Sequence, residues 1–244
     1  MNPLYHKLVF ALAVLDDDKD SLLILCDILE QNGEMALAQW GRAKKRNWQK
    51  RMDFVLGVVP HNITLYLTCD FLAESLQRLD QLKLRRRFYD QNRRDMTSLI
   101  TSINDLGSWS WTEFVSSVQP SGEKNSIDPS NALQSISEVF PWAYGVQGID
   151  LIAQTLHAAG SGIASAGRST RPHEIDAAKS ACRKVAKASR EIVRPYATDI
   201  VSQQQPIGNM AAHAEKIQQL KDEIRENQFA AIENTVNRAI QLIS

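Results

Sequence analysis

Apolar residues recur at alternating steps of three and four along most of this chain, and that spacing constrains its fold more than any other feature. The longest clear stretch is Leu65, Cys69, Leu72, Leu76 and Leu79. Residues 62–69 are rich in β-branched and aromatic side chains, so local propensity alone favours a strand there. Because the side chains of a strand alternate every two residues, a strand cannot sustain this spacing, and we predict a helix over 62–88.

The same spacing predicts helices along most of the chain. The acidic run 16–20 can cap a second helix, Asn32-Gly33 can stop it, and Asp128-Pro129 can start another. Three of the other expected helices cover 21–31, 34 to an end near 57–60, and 90–104. Further helices should start at Pro3, Pro129 and Pro172, and a last helix should have at most three dozen residues. Residues 141–167 contain one formal charge, Asp150, and should lie centrally.

These elements predict an all-α protein of about eight helices, packed as one extended core or as two helical lobes. Residues 106–129 contain Gly, Ser and Pro in a pattern that favours a loop with at most a short helix. We therefore predict an N-terminal helical domain at 1–105, a linker at 106–129 and a C-terminal helical domain at 130–244.

Composition excludes several classes of protein. The 28 basic and 28 acidic residues cancel, so no overall field steers the chain towards nucleic acid or an anionic membrane. Three widely spaced cysteines do not suit a disulfide framework, and the first residues lack the pattern of a signal peptide. We expect a cytoplasmic protein that does not associate with membranes, and the sequence does not indicate its oligomeric state.

Motifs that could support chemistry are weak. Residues 162–169 have the glycine spacing of a phosphate loop, but Arg168 replaces the lysine and helical spacing precedes it where a strand is needed. The acids at 16–20 lack the central glycine and the final glutamate of a calcium loop, so helix capping explains them better. The five histidines show no metal-ligand spacing. We predict no catalytic, cofactor-binding or metal-binding residue, although distant segments could still assemble an active site.

Two basic runs with interleaved aromatic residues contain 12 of the 28 basic residues. The residues that we expect to bind a partner are Arg42, Lys44, Lys45, Arg46 and Trp48 in the first run and Arg85, Arg86 and Arg87 in the second. Such runs can dock an acidic protein or bind single-stranded nucleic acid. They can also be solvated helix ends, since cations suit the C-terminal end of the 62–88 helix.

The last helix carries two apolar stripes that are out of phase. Ile217, Leu220 and Ile224 form the first, and Phe229, Ile232, Val236 and Ile240 belong to the second. One half could pack on its own domain while the other binds a partner, and we include the second stripe among the candidate interface residues. Alternatively, the whole helix curls around its own core.

Residues 10–42 resemble the repeat-companion domain of planctomycete and myxobacterial proteins. In that family a helix, an acidic turn, a second helix and a glycine turn follow one another. The corresponding residues here are the acids at 16–18, the segment 27–30 and Asn32-Gly33, with Ile28 in place of the customary tryptophan. The resemblance covers about a seventh of the chain and implies a helical accessory module from a bacterium. It implies no reaction.

A fainter resemblance covers 58–200. The segment 58–75 and the alanine-rich helix around 177–188 are similar to all-helical immunity proteins that neutralise bacterial toxins, although residues 105–129 depart from that pattern. Together these features predict a non-enzymatic helical adaptor or inhibitor that binds a protein partner, in a bacterial defence or toxin-immunity system. The alternative is a nucleic-acid-binding regulator that uses the basic runs at 42–51 and 83–94. An enzyme with an unrecognised site is a third hypothesis.

Overall fold

The structure is a computed structural model that describes residues 3–43, 47–81, 86–119, 127, 129–139, 180, 183, 187 and 210–244. Within these residues the chain forms eight helices and no strand, which confirms the all-α prediction. The helices are α1 Pro3–Asp16, α2 Lys19–Gln31, α3 Met35–Arg42, α4 Trp48–Val58, α5 His61–Gln81, α6 Arg86–Val118, α7 Pro129–Val139 and α8 Met210–Ile243.

Helix boundaries near the N-terminus follow the predicted caps. The carboxylate of Asp18 accepts hydrogen bonds from the backbone N–H groups of Asp20 and Ser21, which stabilises the first turn of α2. At the other end of α2 the backbone N–H of Glu34 donates to Leu29 O, and Gly33 adopts a φ of 81°. A side chain at position 33 would be strained in this left-handed conformation, so the glycine terminates α2 as expected.

The single helix expected from residue 34 to 57–60 is wrong. The chain forms α3 and α4 instead, because Asn47 starts a new helix: its Oδ1 accepts a hydrogen bond from Lys50 N at 2.8 Å. Asparagine is favoured at this position because its short amide satisfies an N–H that has no partner within the helix. The apolar pattern, which Lys44 interrupts, did not reveal this break.

The α5–α6 pair both confirms and corrects the sequence analysis. Residues 62–69 are helical within α5, as their period predicted, and Thr68 donates its hydroxyl hydrogen to Thr64 O within the helix. In contrast, the prediction of a linker with at most a short helix at 106–129 is wrong for residues 106–118. Helix α6 continues through these residues to Val118. Leu106 and Phe114 are buried, so packing outweighs the low helix propensity of the glycine and serines between them.

The main core lies around α1, which packs against α2, α4 and α8. Leu8, Phe10 and Val14 of α1 are fully buried in it. Ile232 and Val236 of α8 enter the same cluster, although more than 200 residues separate them from α1 in sequence. The last helix therefore completes a core that the first helices begin.

Other predictions fall mostly outside the described residues. These include the central segment 141–167, the phosphate-loop-like segment 162–169 and the helix from Pro172, of which Ser180, Arg183 and Lys187 are described as helical. In the described part of the chain, no helix combines the length and the apolar character that crossing a membrane requires.

Candidate functional site

Arg42, in the first basic run, is paired inside the α2–α3 hairpin. Its Nη2 lies 2.7 Å from Asp27 Oδ1 and 2.6 Å from Glu30 Oε2. The hydrogen bonds to Glu30 and then Asp27 raise the pKa of Arg42. Exposed pairs of this kind contribute little stability. Here they mean that carboxylates of the same chain already neutralise Arg42, which we predicted to bind a partner.

Two further residues of the first run also serve the fold. The side chain of Trp48 is half-buried and packs against the main core, so its ring is not an open stacking platform. Arg51 donates from Nη1 to Leu15 O at 2.7 Å, which satisfies a carbonyl in the last turn of α1. Lys44, Lys45 and Arg46 lie outside the described residues.

Part of the second basic run is helical. Arg86 and Arg87 belong to α6, whereas residues 82–85, which include Arg85, lie outside the described residues. The structure therefore does not place this run relative to a helix end, and its two interpretations, partner binding and a solvated helix end, stay predictions.

The second stripe of the last helix faces the chain's own core. Ile232 and Val236 have no exposed surface, and Phe229 and Ile240 are half-buried against the same cluster. Our expectation that these four residues form an open partner surface is therefore wrong. Their hydrophobic contacts, together with Arg238 at 4.4 Å above the Trp111 ring, attach the end of α8 to the fold.

The structure shows a different candidate surface on α2, which the sequence analysis missed. Leu23 and Ile24 are 57% and 64% exposed, whereas Leu22, Leu25 and Cys26 beside them are buried. Asp20 and Asp27 lie about one turn before and after this pair, and both are exposed. A run of four consecutive apolar residues, 22–25, was the available signal, because one face of a helix cannot bury all four.

The acidic turn before this face does not form a metal site. Asp18 directs its carboxylate to the start of α2, and its hydrogen bonds with Ser21 lower the pKa of Asp18. Across the described part of the chain, no group of three or more His, Cys, Asp or Glu side chains is arranged to hold a metal ion. Asp18 thus caps α2, and the acids at 16–20 together give this turn a local negative charge.

Comparison of the chain with protein-family models, with curated proteins and with solved structures gives no match.

Proposed function

We propose that this chain is a non-enzymatic helical adaptor or inhibitor that binds a protein partner, in a bacterial defence or toxin-immunity system. The observation that carries the proposal is the outer face of α2, defined by Asp20, Leu23, Ile24, Asp27 and Gln31. Two large apolar side chains lie exposed at its centre and charged side chains flank them. Protein interfaces have this composition, with an apolar centre and a polar rim.

The bacterial setting rests on the two sequence resemblances, at 10–42 and 58–200. Both families are helical, which agrees with the architecture. An adaptor or inhibitor acts through its surface, so it needs no converging acid, base or nucleophile. The α2 face supplies the kind of surface that such a protein uses.

Co-expression with the products of the flanking genes tests the proposal. A tagged chain should retain one of these products through affinity purification and elute with it as a single peak in size-exclusion chromatography. A matched chain with the substitutions Leu23→Gln and Ile24→Gln should elute at the same volume when expressed alone, because both side chains are exposed. If the chain elutes alone with every neighbouring product, the proposal is refuted.

One observation favours a second function, nucleic-acid binding by residues 83–94. This segment holds six basic residues among twelve, with Phe88 and Tyr89 between them, and cations with interleaved aromatic rings can contact phosphates and stack on bases. Replacement of Arg85, Arg86 and Arg87 by glutamine should then weaken the binding of a single-stranded oligonucleotide and reduce its salt dependence. Unchanged binding by the triple variant would remove this function.

A further inference from the structure

The outer face of α2 has a regular arrangement. Asp20, Leu23, Ile24, Asp27 and Gln31 are all exposed, and their steps of three, one, three and four place them along one side of the helix. The opposite side carries Leu22, Leu25, Cys26 and Leu29, which are buried in the core. The α2 helix is therefore apolar on both sides, and among the described residues only its inner side is covered.

The charge around this face limits what can cover it. Residues 16–31 contain six acidic residues and one basic residue, so the region is strongly negative. Arg42 pairs with Asp27 and Glu30, so residues 16–31 together with Arg42 keep a net charge of −4, and Asp20 is the acid one turn before the apolar pair. A partner that buries Leu23 and Ile24 must bring positive charge to this rim, since like charges brought together destabilise a complex.

A second copy of the chain does not meet this requirement with its own α2 face. Two α2 faces related by a two-fold axis would place the same acids opposite each other. A two-fold axis could instead place the basic residues 83–94 of each copy on the α2 face of the other, and the light-scattering measurement described below detects such a dimer. The charge pattern thus disfavours a direct contact between two α2 faces and requires a cationic partner surface.

We infer that the outer face of α2 binds a cationic amphipathic helix of a protein partner; this inference rests on the proposed function. Asp20 and Asp27 are seven residues apart, about 10.5 Å along the helix axis, and Asp27 keeps 68% of its side chain exposed although Arg42 pairs with its Oδ1. A helix packed alongside α2 matches this spacing with two lysine or arginine residues seven positions apart. Two apolar residues between those cations would then cover Leu23 and Ile24.

A designed peptide provides a direct probe. The peptide repeats the heptad Lys-Ala-Ala-Leu-Leu-Ala-Ala three times, ends in lysine and carries fluorescein, and its binding is measured by fluorescence anisotropy. A second peptide with glutamate in place of every lysine controls for charge. We expect the full-length chain to bind the lysine peptide, with an affinity that falls as salt increases, and to bind the glutamate peptide at least tenfold more weakly.

Variants of the chain locate the contact. Leu23→Gln with Ile24→Gln should weaken binding of the lysine peptide at least tenfold, and Asp20→Asn should weaken it severalfold and reduce its salt dependence. Met35→Gln is the matched control, because Met35 is also a large, 46% exposed apolar residue but belongs to α3. It should bind as the unchanged chain does. Superimposable circular dichroism spectra should show that all variants fold.

Four results would overturn the inference. The first is equal binding of the lysine peptide by the unchanged chain and the Leu23, Ile24 double variant. The second is no binding by either. The third is an oligomer of the unchanged chain, seen by light scattering, that becomes monomeric in the double variant, since a second copy would then occupy the face. A gene neighbour that co-purifies equally with both forms would overturn the inference and leave the proposed function intact.

Discussion

Gly41 of α3 lies against two buried side chains of the core, and its replacement by alanine tests this packing directly. A Cβ at this position would lie 2.8 and 2.9 Å from Cζ and Cε2 of Phe10, and closer still to Sγ of Cys26. Because carbon atoms prefer separations of about 3.5 to 4.0 Å, the ring would have to move by about 0.7 Å. Phe10 and Cys26 are fully buried, so neither side chain can move into solvent.

The expected magnitude follows from two opposing effects. Forcing an extra methyl group into a packed core costs about 1 to 3 kcal/mol, whereas replacing glycine by alanine within a helix gains up to about 1 kcal/mol. Because the new methyl group would overlap two buried side chains, the cost should fall in the upper half of that range, and Gly41→Ala should lower the free energy of unfolding by about 1 to 2 kcal/mol. Urea unfolding followed by circular dichroism measures this change as a lower midpoint with an unchanged slope.

Gly57 of α4 provides the matched control. A Cβ there would lie 2.9 Å from Nη2 of Arg183, almost as close as the Phe10 ring atoms lie to position 41. Arg183 is exposed and its guanidinium can swing away, since its hydrogen bond to Gly57 O is long at 3.4 Å. Gly57→Ala should leave the stability unchanged or raise it by up to about 1 kcal/mol.

A double-mutant cycle connects the loss to the stated contact. Cys26→Ala removes the nearest atom, so it should cost less in the Gly41→Ala background than in the unchanged chain, with a coupling energy of about 1 kcal/mol. The reasoning would be refuted if Gly41→Ala were as stable as the unchanged chain, or if Gly57→Ala lost as much stability as Gly41→Ala. Either result would mean that backbone propensity, rather than close packing of α3, controls both positions.

Two further substitutions test the helix cap and the electrostatics. Asn47→Ala removes the acceptor for Lys50 N and should lower the free energy of unfolding by about 1 kcal/mol in the same urea assay; an unchanged midpoint would contradict the cap. Partial burial, and then the charge of Glu74, raise the pKa of Asp70 above its usual value. Ionised Asp70 therefore costs stability, increasingly as the pH rises through the unfolded and then the folded pKa, and Asp70→Asn should raise the melting temperature at pH 7 but not at pH 3. A lower melting temperature for Asp70→Asn at pH 7 would contradict the sign.

The sequence predicted helices best where the apolar period was long. The spacing from Leu65 to Leu79 correctly outweighed the strand propensity of residues 62–69, because tertiary burial depends on which residues share a face. Ends of helices were predictable where a local interaction determines them, as at Asp18 and Gly33. They were missed where one polar residue divides a continuous pattern, as Asn47 does.

The remaining errors concern what each apolar face packs against, which periodicity does not encode. The stripe that contains Ile232 and Val236 shows only that this side of α8 is apolar, and α1, which lies far away in sequence, is what covers it. In α2, by contrast, some apolar residues stay exposed. Residues 22–25 are all apolar, but of these four only Leu22 and Leu25 are buried in the core. A buried stripe covers somewhat more than a quarter of a helix's circumference, so four consecutive apolar residues always leave some of them outside it. Such a run is therefore a better sequence signal for an exposed apolar face than a phase shift between two stripes.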